Sequence, residues 1–326
     1  MDFTNHTPYA ARLFTGTIGE DLKGAWVVAR ATCRWTAASP ELVAADDAWP
    51  VFVQPVKTDV GVFPSDEFPY RRGCELVITG TVRSPTAVPR LTIEARVGDF
   101  TDRIAVVGDR VWRREPGGFV ASDPTPFTEM PMDWARSFGG ESSVHGLPSA
   151  YALNPVGRGF NASAEVAEGT PLPNFEDPAA PIERWDDCPL PVGWGPIENA
   201  AAWQVADFAR DRAARGVRDD PSPEEMVDLG MSLNPTASPP RLVLPRLQGG
   251  DGVHIVGLER APIRFTVPDL RLRIRATVGA QVIERTLAYS GLWVFAPHGL
   301  AVLTLRAAFS YATRVEETRV ATLEVT

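Results

Sequence analysis

Acid–base chemistry near neutral pH most often uses histidine, and this chain has four: His6, His145, His254 and His298. None stands in a metal-ligating spacing such as H-E-x-x-H, and only the last two lie within a hundred residues of each other. They read as surface or loop histidines. Ser142 and Ser143 follow Phe138-Gly139-Gly140 and precede His145, which faintly suggests a nucleophile loop. The G-x-S-x-G elbow is absent, however, and a glycine turn is the better reading. The carboxylate pairs Asp46-Asp47, Asp186-Asp187 and Asp219-Asp220 sit in loop-like, solvated contexts. Lys23 precedes Gly24, the wrong order for a phosphate loop. Cys33, Cys74 and Cys188 are odd in number and widely spaced, giving neither a disulfide framework nor a zinc pattern. These residues predict no catalytic set, no cofactor and no metal.

Two other constellations could bind. Arg271, Arg273 and Arg275 form a basic stripe on one face of a strand, open to an acidic partner or a phosphate; cross-strand pairing with Glu284 is the favoured reading. In Asn154-Pro155-Val156-Gly157-Arg158-Gly159-Phe160, the glycines permit close backbone approach and Arg158 offers a rigid fork of donors. Arg158 is expected to be structural, bonded to a carboxylate or to nearby carbonyls.

The elements that must position these residues are mainly strands. In Val27 to Trp35, the odd positions are apolar while Arg30, Thr32 and Arg34 are polar, predicting a half-buried strand. Leu91 to Val97 alternates cleanly, and Ile104 to Trp112 continues past a bend at Gly108. Leu270 to Thr277 alternates too, and Gly279-Ala280 suits a type II′ hairpin placing Arg275 opposite Glu284. Further strands are expected at Leu292 to Ala296 and Ala301 to Tyr311. From Pro171 to Pro196, seven of 26 residues are proline, interleaved with Trp185 and Trp194, predicting an extended segment packed onto a sheet. Asn199 to Arg215 reads as a helix capped by Asn199, with Val205, Phe208 and Ala209 inward and Gly216 closing it; Ser222-Pro223-Glu224-Glu225 starts a second, short one.

The expected fold is therefore mainly β: two antiparallel lobes, 1–163 and 241–326, joined by a Pro/Trp-rich connector, 164–240, with a few short helices. The 326 residues are 44% hydrophobic with 30 prolines, so neither a disordered chain nor a helical bundle fits. A net charge of -9 argues against non-specific nucleic-acid or membrane binding. Without a basic, apolar leader or a spanning apolar run, a cytoplasmic location and no membrane insertion are expected.

The same segments carry a resemblance. Val107-Gly108-Asp109-Arg110-Val111-Trp112, then Met130-Pro131-Met132 leading to Phe138-Gly139-Gly140, then Asn154 to Phe160, come in order. Leu172-Pro173-Asn174-Phe175-Glu176 and Pro191-Val192-Gly193-Trp194-Gly195-Pro196 follow. This series resembles the bacterial family called domain of unknown function 2169, and Asn5 to Ala11 also fits it. Beyond Trp203 the pattern is largely lost, although Val294 to Tyr311 resembles the closing strands. The resemblance implies an accessory protein of type VI secretion. It would be an adaptor or chaperone loading an effector onto the spike, made of the valine-glycine repeat protein and its PAAR tip, and no catalytic residue is attached to it. A hydrolase acting on effector or cell wall, and a structural component travelling with the spike, are the alternatives. The effector, the binding surface and the oligomeric state stay open. Residues 107 to 196 are expected to be the keystone, with Trp112 and Trp194 as buried anchors.

Overall fold

The computed structural model describes all residues except 19–20, 36–39, 43–47, 70–72, 198, 207–235 and 313–318. The fold is mainly β, with several antiparallel sheets, as expected. In the largest sheet, the strands run Val243–Leu244, Cys74–Thr79, Ala288–Phe295, Leu300–Ala312, Leu22–Trp35, Ala10–Thr17. A five-stranded sheet runs Phe175–Glu176, Phe100–Val107, Arg90–Val97, Gly252–Val256, Ile263–Thr266. A four-stranded sheet runs Asp2–Asn5, Arg319–Val325, Leu272–Val278, Gln281–Thr286. The alternating apolar positions of all three close on one core, including Ala29, Leu76, Ile93, Ile255, Ile274 and Leu303.

The strand-rich ends share their sheets instead of forming separate lobes. Leu22–Trp35 pairs along its length with Leu300–Ala312, Arg90–Val97 with Gly252–Val256, and Asp2–Asn5 with Arg319–Val325. A period of two reports which face a strand buries but not which strand satisfies its edge groups. The connector is packed into this arrangement. Phe175–Glu176 adds to the five-stranded sheet, and the Trp194 carbonyl accepts from the Ile78 N–H at 2.8 Å.

The hairpin at Gly279 holds: φ there is +57°, and Arg275 lies opposite Glu284. The strand at Val27 to Trp35 does not stay half-buried. Its Val27, Ala29, Ala31 and Cys33 face the main core, and the opposite face, with Arg30 and Thr32, is buried as well. Residues 49–66 cross that second face, where Trp49 stacks on Phe295 at 4.5 Å and Phe63 meets Trp293 at 4.5 Å. The helix begins where expected, with Asn199 Oδ1 accepting from the Ala202 N–H at 3.3 Å and residues 200–206 helical. Its inward residue is Trp203, whereas Val205 is 64% exposed, a correction to the assigned face. Phe208, Ala209, Gly216 and the second helix from Ser222 lie outside the described residues.

Candidate functional site

The motif residues assemble around a small aromatic core. Trp112, Phe138 and Leu172 are buried together with Ile182, and Tyr151 lies edge-on to Phe138 at 5.0 Å and 5.7 Å from Phe160. Beside it, Phe138–Gly139 and Arg158–Gly159 run parallel. Buried Asn154 ties the two segments, its Nδ2 donating to the carbonyls of Trp134 at 2.8 Å and Phe138 at 3.0 Å. The Asn154 carbonyl accepts from the N–H groups of Gly140 and Gly157, the second closing the turn that contains Pro155. Glycine is required here. Gly139 has φ +143°, and a Cβ on it would lie 2.1 Å from the Asn154 carbonyl oxygen. A Cβ on Gly157 would lie 2.4 Å from Asn154 Nδ2.

A polar layer covers one side of this core. Asn174 is fully buried; its Nδ2 donates to the Val107 carbonyl at 2.9 Å and to Asp109 Oδ1 at 3.0 Å. Arg136, which the motif reading did not single out, donates to Asn174 Oδ1 at 3.2 Å. Arg158 donates through Nε to the Ala135 carbonyl at 2.8 Å and stands 3.6 Å from Asp109. Arg110 and Glu176 form a buried ion pair; burial pulls the Arg110 pKa down, and the Glu176 carboxylate opposes this. Pro173 fills the space against Gly159, and Gly193 passes over the Trp134 ring. Trp194 is fully buried and donates from Nε1 to Asp102 Oδ2 at 2.7 Å. The motif's polar side chains thus bond largely to one another and to the backbone of the block.

The other candidates do not converge. His145 is exposed at φ +49° in the turn of a hairpin, and Ser142 Oγ accepts from the Ala162 N–H at 2.9 Å. His6 is exposed, His298 stands 3.6 Å from Asp59, and His254 is half-buried on the five-stranded sheet. Asp186 pairs with Arg184, and Asp187 accepts from the backbone of Glu183 and Arg184. Asp46, Asp47, Asp219 and Asp220 lie outside the described residues. Among the described residues, no group of three or more His, Cys, Asp or Glu could hold a metal. Cys33 and Cys74 are buried, which pushes the Cys33 thiol up to about 11 and Cys74 further; Cys188 is exposed. The arginine stripe is paired: Arg273 reaches Glu284 and Glu324, and Arg275 reaches Glu284, each at 3.6 Å.

Two features escaped the sequence reading. Arg30, 1% exposed, lies 4.4 Å from the ring centres of both Phe52 and Trp293 and 2.8 Å from Asp66. Asp66 also holds buried Arg306 and accepts from the Phe52 N–H at 2.8 Å, so one carboxylate pins residues 49–66 to the sheet. The second is a hollow of about 610 Å³, walled by Pro189, Leu190, Pro191, Val192, Trp203 and Pro240. Asp102, Asp177 and Arg241 complete its lining, with Arg241 Nη2 donating to Asp102 at 2.6 Å. The Pro/Trp-rich stretch was the signal for its apolar wall; nothing local pointed to Asp102 or Arg241.

Fold and site together define a mainly β scaffold built round a glycine- and asparagine-locked motif block. The chain belongs to the family described as an uncharacterized protein conserved in bacteria, DUF2169, which it matches over residues 21–306. The match takes in the whole series from 107 to 196 and the thinner stretch beyond Trp203, and starts after the opening segment at Asn5. Comparison with curated proteins and with solved structures finds no match. Among the described residues, no helix is long and apolar enough to cross a membrane.

Proposed function

We propose that this protein is an adaptor, or chaperone, that binds a type VI secretion effector and helps load it onto the spike and its PAAR tip. The resemblance supplies the secretion context. The supporting observation is the hollow beside Trp203: among the described residues its lining is proline, aliphatic and aromatic, edged by Asp102 and Asp177, both bonded by Arg241. A recognition surface offers apolar area edged by polar groups in this way. The adaptor acts by covering apolar surface of the effector in the cytoplasm, without turnover, cofactor or metal. Release at the spike calls for moderate affinity, about 10 nM to 1 μM.

Co-expression with the effector encoded beside it should raise that effector's soluble yield, and the two should co-elute on gel filtration. Separate elution at micromolar concentration, with effector delivery unchanged on deletion, would overturn the reading.

A further inference from the structure

The five-stranded sheet turns Ile93, Ala95, Val97, Ile104 and Ile255 into the core, so the intervening positions face outward. The strand registers set Thr101, Arg96, His254 and Arg264 in one row across four strands, and Arg103, Glu94 and Val256 in the next. In a chain of net charge -9, these two rows carry three arginines against one carboxylate, Glu94. A further acid, Asp99, lies beyond the rows and stands 3.8 Å from Arg246.

The arrangement in depth matters as much as the count. Glu94 is only 17% exposed, whereas Arg96 and Arg103 are 53% and 58% exposed. Each arginine bonds Glu94 through Nε alone, so both terminal nitrogens of each fork remain available. Arg241, by contrast, is spent on Asp102 and Asp177. The basic rows adjoin the apolar hollow: Asp102, Asp177 and Arg241 line both the hollow and a more open depression of about 640 Å³ that includes Arg96 and Arg103.

We propose that this basic face and the adjoining hollow form one docking surface for an acidic, extended segment of a protein partner. An aliphatic or aromatic side chain enters the hollow over Leu190 and Trp203, and neighbouring carboxylates meet the forks of Arg96 and Arg103. The inference rests on the adaptor reading and gives its partner a chemistry. A nucleic acid would match the arginines but not the apolar wall, and its many phosphates would meet the repulsion of an acidic chain. One or two carboxylates beside an apolar anchor use both halves of the surface and meet little of it.

The test is fluorescence anisotropy of the full chain with a fluorescein-labelled peptide of alternating Glu and Leu. The peptide should bind, and binding should weaken about tenfold both for the double variant Arg96→Gln/Arg103→Gln and for Leu190→Ser. Arg275→Gln, on the four-stranded sheet, should bind as wild type does. Thermal melts confirm folding, and Leu190, 56% exposed, gives a variant that leaves the charges intact. No binding by wild type, binding by either variant as tight as wild type, or preference for a single-stranded oligonucleotide overturns the proposal. If the effector co-elutes equally with all variants, the docking surface is wrong and the adaptor reading stands. If it co-elutes with none, wild type included, the adaptor reading itself falls.

Discussion

The motif block at 107–196 and the covered face of the large sheet are both polar regions made internal, by opposite means. In the motif block, neutral amides do most of the joining: Asn154 and Asn174 satisfy backbone groups, the charges of Asp109, Arg136 and Arg158 remain partly in water, and one pair, Arg110 with Glu176, is buried. On the sheet face, Arg30 and Arg306 are fully enclosed and share one buried carboxylate, Asp66. Loss of Asp109, Arg136 or Arg158 is tolerated in the first arrangement, because solvent can take the place of the missing charge. Loss of the Asp66 charge is not tolerated in the second, because it takes a shared carboxylate from two guanidinium groups that solvent barely reaches.

The largest test of this contrast is Asp66→Asn. It should cost about 5 kcal/mol, the upper end for breaking a buried pair, since one group serves two guanidinium partners. Urea melts measure it, and a cost below that of Trp112→Ala would break the comparison. Trp112→Ala should come next at about 4 kcal/mol, the loss expected for a large buried aromatic, by the same melts. Unchanged stability would mean that the motif block does not anchor the fold. Arg158→Lys keeps the charge but loses the Nε donor to Ala135, and should cost about 1–2 kcal/mol, nearly as much as Arg158→Ala. A lysine variant as stable as wild type but unable to bind the effector would move Arg158 from scaffold to interface.

Legibility in the sequence followed the range of the interactions. Gly279 announced its hairpin and register, and Asn199 its helix start, because each acts within a few residues. The motif glycines marked tight backbone approach, and the structure shows what approaches them: Asn154 against Gly139, Pro173 against Gly159. Arg30 misled because alternation on an exposed strand and on a strand later covered look the same. Its cover comes from residues 49–66 and its second neighbour, Arg306, from the far end of the chain. Trp203 outweighed Val205 for a similar reason: its contact is Trp134, a residue of another segment. The apolar wall of the hollow was foreshadowed by its prolines, but Asp102 and Arg241 meet only through the fold.

The pairing of Arg34 with Leu300 also sets the order in which the protein can be made. When the ribosome has finished the strand Leu22–Trp35, its longest neighbour does not yet exist. At about 5–20 residues per second, that edge waits roughly 13–55 s for its partner. During this interval a long apolar strand is open to wrong pairing, and its closure is a non-local event of the kind that makes folding slow. The chain therefore begins with an exposed edge of its own, and its yield should depend on temperature and expression rate more steeply than its final stability would suggest.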